Sequence, residues 1–168
     1  MIFWNAIKTP IGKIVLVEQD GALIRVYMPN ENRSIEDIEF ELEQIDLDVY
    51  EQDTPLLDLV QSQIEEYFAG TRSEFDVPMQ FSGTKFQESV WKQIAAIPQG
   101  ETLTYSDIAH RIDKPKAARA VGNACGNNPI PLIIPCHRVL ASNGKLGGYS
   151  SGLDTKRALL DFEGVTYH

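Results

Sequence analysis

Residues 127–140 read Asn127-Asn128-Pro129-Ile130-Pro131-Leu132-Ile133-Ile134-Pro135-Cys136-His137-Arg138-Val139-Leu140. Two prolines bracket a short apolar run that leads into a Cys-His-Arg tripeptide. Pro135 lacks a backbone N–H and restricts the residue before it, which predicts a stiff, non-helical segment. A thiol beside an imidazole and a guanidinium predicts a favoured thiolate, the reactive form of cysteine. The tripeptide therefore indicates an activated nucleophile at Cys136, although a free Cys is more often a small buried hydrophobe.

The order of the tripeptide also limits its geometry. In an extended segment, neighbouring side chains point to opposite faces. His137 is therefore not required to contact Cys136 directly, and we expect a turn or a water molecule to connect them.

Composition indicates an ordinary globular protein. The chain has 168 residues, of which 43% are hydrophobic and 23% charged, and this length fits one domain or two small ones. It has no basic N-terminal region followed by an apolar run and no 18-residue apolar stretch, so we expect a soluble, cytoplasmic protein. Cys125 and Cys136 are too few for a disulfide framework and suit a reducing compartment.

Charge is divided unevenly along the chain. The formal net charge is −9, which by itself argues against a nucleic-acid partner. Residues 1–83 hold 5 Lys and Arg against 17 Asp and Glu, whereas residues 84–168 hold 10 against 7. Any face that binds an anion is therefore expected in the second half.

The first half predicts a small α/β domain over residues 1–82. Residues 12–18 and 22–27 are rich in β-branched residues around a Gln19-Asp20-Gly21 turn, which predicts a hairpin, with residues 2–4 as a third strand. Residues 31–53 are acidic and receive no assignment. Thr54-Pro55 predicts a helix start and Gly70 its end. The first half has no Cys or His, which excludes a zinc site of those ligands there.

The second half, residues 83–168, predicts a mostly helical domain. Thr84-x-x-Gln87 is a capping box, and it precedes the apolar stripe Phe86, Val90, Trp91, Ile94 and Ile97. Residues 104–112 and 116–124 predict two short helices joined by a turn at residues 113–115, which is typical of a helix-turn-helix of the winged-helix kind. The second of these helices is rich in Ala and Gly, with Arg119 as its long exposed side chain.

A Gly- and Ser-rich loop, residues 141–151, leads to a last helix over residues 153–162. We expect Leu159, Leu160 and Phe162 to anchor this helix and Gly164 to end it. Glu163 at the helix C-terminus is unfavourable to the helix dipole, which indicates a partner, and His137 is a candidate.

Together these segments resemble the O6-alkylguanine-DNA alkyltransferase family (methylated-DNA–protein-cysteine methyltransferases). The matches run in one order through nearly all of residues 83–164, whereas residues 1–82 resemble the family's variable domain only loosely. The matching segments are residues 83–87, 90–91, 97–98, 104–105, 118–122, 127–129, 135–139, 148–149, 156, 159–160 and 163.

The resemblance implies a catalytic set. Cys136 would accept the alkyl group, and Glu163 would orient His137, which would act on Cys136 through a water molecule. Tyr105 would donate a hydrogen bond to the guanine ring nitrogen as the base leaves. Asn128 would support the turn that carries the acceptor.

The resemblance also implies a DNA-binding and a substrate-binding set. Arg119 would enter the base stack in place of a flipped-out nucleotide, while Ala117, Ala118 and Tyr105 would lie against the DNA in the minor groove. Backbone atoms of Cys136 and Val139 would contact the guanine amine. The remaining substrate-binding residues would be Ser150, facing the guanine oxygen, Tyr149 and Lys156.

The implied activity is single-turnover DNA repair. An alkyl group on O6-alkylguanine, and by extension O4-alkylthymine, would move irreversibly to Cys136. We expect a monomer that binds double-stranded DNA and uses no cofactor. We also expect no metal, because this chain lacks the N-terminal Cys and His of the family's metal-binding members.

Three alternatives remain at this point. A lesion-binding protein without chemistry would not need Cys136, since non-catalytic relatives carry Trp there. A cysteine hydrolase would need a direct Cys-His dyad and an oxyanion hole, for which no motif is recognisable. A zinc site would have to use Cys125, Cys136, His110, His137 and His168, none of which are paired at zinc-ligand spacing. We expect Cys125 to be structural and His110 and His168 to lie on the surface.

Overall fold

A four-stranded sheet forms the centre of the first 81 residues. The computed structural model describes residues 1–168 and divides them into two units, Met1–Phe81 and Ser82–His168. The sheet has the order β3-β2-β1-β4, with β4 parallel to β1 and the other pairs antiparallel. The elements of this unit are β1 (Ile2–Thr9), β2 (Gly12–Gln19), β3 (Ala22–Tyr27), α1 (Ile35–Glu43), β4 (Val49–Glu51) and α2 (Pro55–Phe68).

The hairpin predicted around residues 19–21 is confirmed. Asp20 and Gly21 both have positive φ, 52° and 76°, which is the backbone of a tight hairpin turn. The third strand is also present and is longer than predicted, because β1 pairs with β2 along its whole length. Residues 31–53, which carry no sequence assignment, contain α1 and β4.

Helix α2 begins and ends where its capping residues predict. The Thr54 side chain accepts a hydrogen bond from Leu57 N at 3.1 Å, and Pro55 occupies the first helical position. Gly70 follows the helix with φ 79°, a conformation that favours glycine. Four apolar side chains at helical spacing on α2 are buried: Leu57, Val60, Ile64 and Tyr67.

The second unit is mostly helical, with one short parallel strand pair, β5 with β6. The predicted mixture of a sheet-bearing first half and a helical second half is therefore confirmed. No helix in either unit is long and apolar enough to cross a membrane. The elements are α3 (Lys85–Ala95), β5 (Leu103–Thr104), α4 (Tyr105–Arg111), α5 (Ala118–Gly126), β6 (Val139–Leu140) and α6 (Leu153–Phe162), with a 3₁₀ turn at Cys136–Arg138 before β6.

The helix pair α4–α5 is present, but the predicted range of its second helix is wrong by two residues at each end. Residues 116–117 belong to the preceding turn, because Ala117 N donates to Lys114 O at 2.9 Å, and the helix continues to Gly126. Helix α5 is held from behind by α3, where Trp91 Nε1 donates to Ala124 O at 2.9 Å in a buried bond.

Helix α6 spans the predicted residues and ends at Gly164, which has φ 74°. Leu159 and Leu160 are fully buried, as expected of anchors. The same expectation for Phe162 is wrong, because its side chain is 38% exposed. Phe162 is the last residue of the helix, where its side chain is only partly covered.

Candidate active site

A strained loop leads to Cys136. Asn128 crosses the base of this loop: its Nδ2 donates to Ile134 O at 2.7 Å and its Oδ1 accepts from Ile130 N at 3.0 Å. Leu132, at the tip, has φ 73°, a left-handed conformation that costs energy for a residue with a branched side chain. Such strain persists only where the surroundings enforce it, and here the two Asn128 bonds do so.

Two consecutive tight turns then orient the tripeptide. Pro135 has φ −81° and ψ 66°, and Cys136 N donates to Ile134 O at 2.8 Å, which is an inverse γ-turn. Arg138 N donates to Pro135 O at 2.9 Å and closes a 3₁₀ turn over Cys136–Arg138. The predicted non-helical conformation is therefore wrong. Neighbouring side chains in a 3₁₀ turn diverge by about 120°, so Cys136 and His137 point in different directions.

Glu163 is the centre of a buried charge cluster. Its side chain is 0% exposed and accepts from His137 Nε2 at 2.8 Å, as expected from the sequence. It also accepts from Arg138 Nε at 2.8 Å and from Arg138 Nη2 at 3.0 Å, a bidentate pair that the sequence did not predict. The third guanidinium nitrogen, Nη1, donates to Ile97 O at 2.6 Å. The side chains of His137 and Arg138 therefore both bind Glu163.

Burial favours the neutral form of the His137 imidazole, the form that can act as a base. Burial lowers its pKa below the ordinary 6.5, although the hydrogen bond to Glu163 opposes that change. When Nε2–H donates a hydrogen bond to the Glu163 carboxylate, the other ring nitrogen, Nδ1, is unprotonated and carries a lone pair. His137 Nδ1 is buried and has no hydrogen-bond partner within the protein. His137 Nδ1 can therefore accept a proton.

Burial of the Cys136 thiol acts against the thiolate that the sequence predicts. Burial raises its pKa above the ordinary value, and hydrogen bonding by Asn128, the charge of Lys156 and hydrogen bonding by Tyr149 offset this only in part. Cys136 is 5% exposed. Its activation therefore requires a base at the moment of reaction.

Lys156 is a buried cation that holds the loop after β6. Its side chain is 0% exposed, and Nζ donates to Val139 O at 2.7 Å, Gly148 O at 3.0 Å and Leu146 O. Burial lowers its pKa to about 8, while the nearby Cys136 and Cys125 oppose that change. All three ammonium protons are directed at backbone carbonyls, so Lys156 connects β6 to the loop that follows it.

Tyr105, the first residue of α4, is packed against the loop that Lys156 holds. Gly147 has φ 67°, and a Cβ there would lie 2.6 Å from Tyr105 Oη. Only glycine permits this close approach. Burial raises the pKa of Tyr105, with a backbone hydrogen bond from Gly148 opposing, so the phenol keeps its proton as a donor.

A cavity of about 670 Å³ brings much of the expected set together. Six of the expected residues line it: Tyr105, Ala118, Arg119, Cys136, Tyr149 and Ser150. His137, Glu163, Asn128 and Lys156 lie behind this lining, and Ala117 and Val139 are likewise not part of it.

Cys125 also lines the cavity, which the sequence analysis missed. A signal for it was available, because Ala118, Gly122 and Cys125 follow helical spacing on one face of α5, and all three line the cavity. His110 and His168 are exposed, as expected. No group of three or more His, Cys, Asp or Glu side chains is placed to hold a metal ion.

These features define a class of protein: one in which a buried cysteine lines a cavity walled by a helix-turn-helix. The chain belongs to the 6-O-methylguanine DNA methyltransferase family. Residues 2–81 match the family's ribonuclease-like domain, and residues 85–165 match its DNA binding domain.

Similar proteins cover nearly the whole chain. The methylated-DNA–protein-cysteine methyltransferase of Methanosarcina mazei is 42% identical over 169 residues, which cover 96% of this chain and 97% of that protein. The constitutive methyltransferase of Bacillus subtilis is 34% identical over 168 residues, covering 99% and 98%. The crystal structure of Mycobacterium tuberculosis OGT in complex with DNA is 39% identical, with a TM-score of 0.81 over 96% of this chain and 92% of that chain.

Proposed function

We propose that this protein repairs O6-alkylguanine in DNA by moving the alkyl group irreversibly onto Cys136, so that each molecule acts once. One observation carries the proposal: the Cys136 thiol lines the same cavity as Tyr105 and Arg119, which come from the two helices of a helix-turn-helix. The relatives' names support the same chemistry, since they are methylated-DNA–protein-cysteine methyltransferases. We assign DNA binding and alkyl acceptance to residues 83–168.

Proton transfer begins with His137. The Cys136 thiol gives its proton through a water molecule to His137 Nδ1, and the Glu163 carboxylate stabilises the resulting imidazolium through its 2.8 Å bond to Nε2. The thiolate then attacks the alkyl carbon. The S–C bond forms as the C–O bond breaks, and the electron pair remains on guanine. Tyr105 donates its proton toward the guanine ring nitrogen and stabilises the leaving base.

The lesion must leave the duplex to reach Cys136. Flipping a base costs a few kcal/mol, on the order seen in other base-flipping enzymes. We assign Arg119, exposed on α5, to the space that the flipped base leaves. Ala117 and Ala118 are small, which lets the start of α5 approach the floor of the minor groove.

The extruded guanine is recognised mostly by backbone atoms. We assign its amine to the carbonyls of Cys136 and Val139 and its oxygen to Ser150. Val139 O already accepts from Lys156, but a carbonyl has two lone pairs and can accept a second bond. Tyr149 completes the wall, while Lys156 and Asn128 hold the two loops that carry these atoms.

Three finer assignments accompany this function. O4-alkylthymine presents a similar alkylated oxygen and is a second substrate. The protein acts as a monomer, because one chain is sufficient to place Cys136, Tyr105 and Arg119 around one cavity. It works in the cytoplasm, where both of its free cysteines remain reduced.

A stoichiometry measurement tests single turnover. The protein is titrated against excess duplex that carries one O6-methylguanine, and the repaired lesions are counted until the reaction stops. We expect a plateau of one lesion for each protein molecule. Continued repair beyond that plateau would mean that the thioether is hydrolysed and that Cys136 is a catalyst that turns over.

A further inference from the structure

Arg138 is the one charged side chain of the buried cluster around Glu163 that the mechanism above does not use. It is 5% exposed and is not part of the cavity lining, so it is not placed to contact an extruded base. Its Nε and Nη2 donate to the two oxygens of Glu163 at 2.8 Å and 3.0 Å, and Nη1 donates to Ile97 O at 2.6 Å. Any part that Arg138 has in the reaction must therefore be transmitted through Glu163.

Arg138 and His137 share one oxygen of that carboxylate. Glu163 Oε2 accepts from His137 Nε2 at 2.8 Å and from Arg138 Nη2 at 3.0 Å, so the two donor nitrogens lie within about 6 Å of each other. A full charge within about 4–6 Å is close enough to change the protonation of a neighbouring group. His137 is therefore exposed to the charge of Arg138 as well as to that of Glu163.

The charge balance of the cluster controls whether His137 is protonated. With Arg138 present, the guanidinium and the carboxylate cancel, and a proton on His137 would leave one uncompensated positive charge in a buried place, which is costly. Without Arg138, the same proton would complete a neutral ion pair with Glu163. A protonated imidazole carries N–H on both ring nitrogens, so Nδ1 could then no longer accept the proton of Cys136.

The other groups that act on His137 do not replace Arg138. Burial lowers the pKa of His137, the hydrogen bond and charge of Glu163 raise it, and the charges of Arg138 and Lys156 lower it. Lys156 directs its ammonium group at three backbone carbonyls, whereas Arg138 binds the same carboxylate that His137 binds. Cys136, the adjacent thiol, is the group whose proton His137 receives. Arg138 is thus the cation that offsets Glu163 directly.

We propose that Arg138 is a positioning residue for the transfer reaction: it neutralises Glu163 and so keeps His137 unprotonated until Cys136 gives up its proton. This inference rests on the proposed transfer to Cys136 and adds the residue that keeps its base available. The planar fork of arginine suits this role, because it binds both carboxylate oxygens and still reaches Ile97 O.

The first test measures the pH dependence of single-turnover methyl transfer in Arg138→Met. The limb of the rate profile that reports His137 should move at least about one pH unit higher, opposite to the shift expected when Glu163 loses its charge. At a pH below this limb, transfer should therefore fall at least about 10-fold. Arg138→Lys keeps the charge and should hold the limb near its native position. Arg157→Met removes an exposed arginine of the same unit and should leave the profile unchanged.

A second measurement follows the His137 ring itself and does not depend on transfer. The chain has three histidines, so histidine-labelled protein gives three ring signals by NMR, and the signal of His137 is the one lost in His137→Gln. The midpoint of its titration should be at least about one pH unit higher in Arg138→Met than in the native chain. The signals of His110 and His168, which are exposed, should be the same in both proteins.

The outcomes separate this inference from the proposed function. If the native chain gains no methyl group, the proposed function itself fails, while the histidine titration still tests Arg138. If Arg138→Met has a lower melting temperature but an unchanged rate limb and an unchanged His137 midpoint, Arg138 is only a structural anchor and the inference is overturned. Should Arg138→Met fail to fold, Arg138→Gln supplies the same comparison, because its amide can donate one hydrogen bond to Glu163 without carrying a charge.

Discussion

Replacing Glu163 with Gln removes one buried negative charge and changes almost nothing in shape. The Glu163 carboxylate accepts three N–H groups, at 2.8 Å, 2.8 Å and 3.0 Å, from His137 and Arg138. An amide offers one carbonyl oxygen and an NH₂ group, so one of these donors must face another donor. Leaving the buried guanidinium without its counter-ion costs about 3–5 kcal/mol. At about 2–4 °C for each kcal/mol, the melting temperature should fall by roughly 6–20 °C.

The effect on transfer has a separate cause. The Glu163 hydrogen bond and charge raise the pKa of His137 against the lowering effect of burial. Without them the imidazolium is less stable, and an amide N–H that faces Nε2 would place the ring proton on Nδ1, where it blocks the base. A general base contributes about 10²–10⁴-fold, so transfer in Glu163→Gln should be slower by at least about 100-fold. Because the pKa of His137 falls, the neutral imidazole persists to lower pH, and the limb of the rate profile that reports this base should shift to lower pH.

The assay measures single-turnover methyl transfer at several pH values, below the melting temperature of the variant. DNA affinity is measured in parallel and should hardly change, because Glu163 is buried. Glu101→Gln removes an exposed carboxylate of the same unit and serves as the matched control. A Glu163→Gln variant that folds and keeps the native pH–rate profile would refute the relay from Glu163 through His137 to Cys136.

Three further outcomes are expected. Arg119→Ala should slow repair in duplex DNA strongly but affect transfer from the free modified base much less; equal losses would mean that Arg119 supports the pocket. Gly147→Ala should slow transfer from duplex and free base alike, because its Cβ would lie 2.6 Å from Tyr105 Oη; an unchanged rate would show that the loop can move aside. Lys156 holds its proton less tightly when folded, with its pKa lowered from 10.5 to about 8, so its contribution to stability rises with pH across that window. The difference in unfolding free energy between the native chain and Lys156→Met should show that rise, and a pH-independent difference would contradict it.

Local signals predicted much of the fold. Short runs of neighbouring residues predicted four features: the hairpin, the capped start of α2, the capping box of α3 and the end of α6. The start of α5 was misplaced because Ala117, its N-cap, makes no side-chain capping bond, so no residue type marks the boundary. Helix α1 begins at a capping box of Ser34 and Asp37, a local signal that the sequence analysis missed. Strand β4 has only three residues and is ordered by its pairing with β1, which no local pattern predicts.

The sequence predicted which residues form the site better than it predicted their pKa values and contacts. Adjacency in sequence suggested that His137 and Arg138 would stabilise a Cys136 thiolate. The 3₁₀ turn directs both toward Glu163, and burial then dominates the pKa of the thiol. Side-chain direction and desolvation depend on the folded chain. For the same reason the role of Lys156 as a loop anchor could not be read from its position alone.

The most direct test of the account identifies the atom that receives the alkyl group. The protein is incubated with duplex DNA carrying one O6-methylguanine, and its mass is measured intact and after digestion. We expect the gain of one methyl group, located on Cys136, with the same gain in Cys125→Ala and none in Cys136→Ala, which should still bind the DNA. A methyl group on Cys125, or no gain of mass by the native chain, would contradict the assignment of Cys136 as the acceptor.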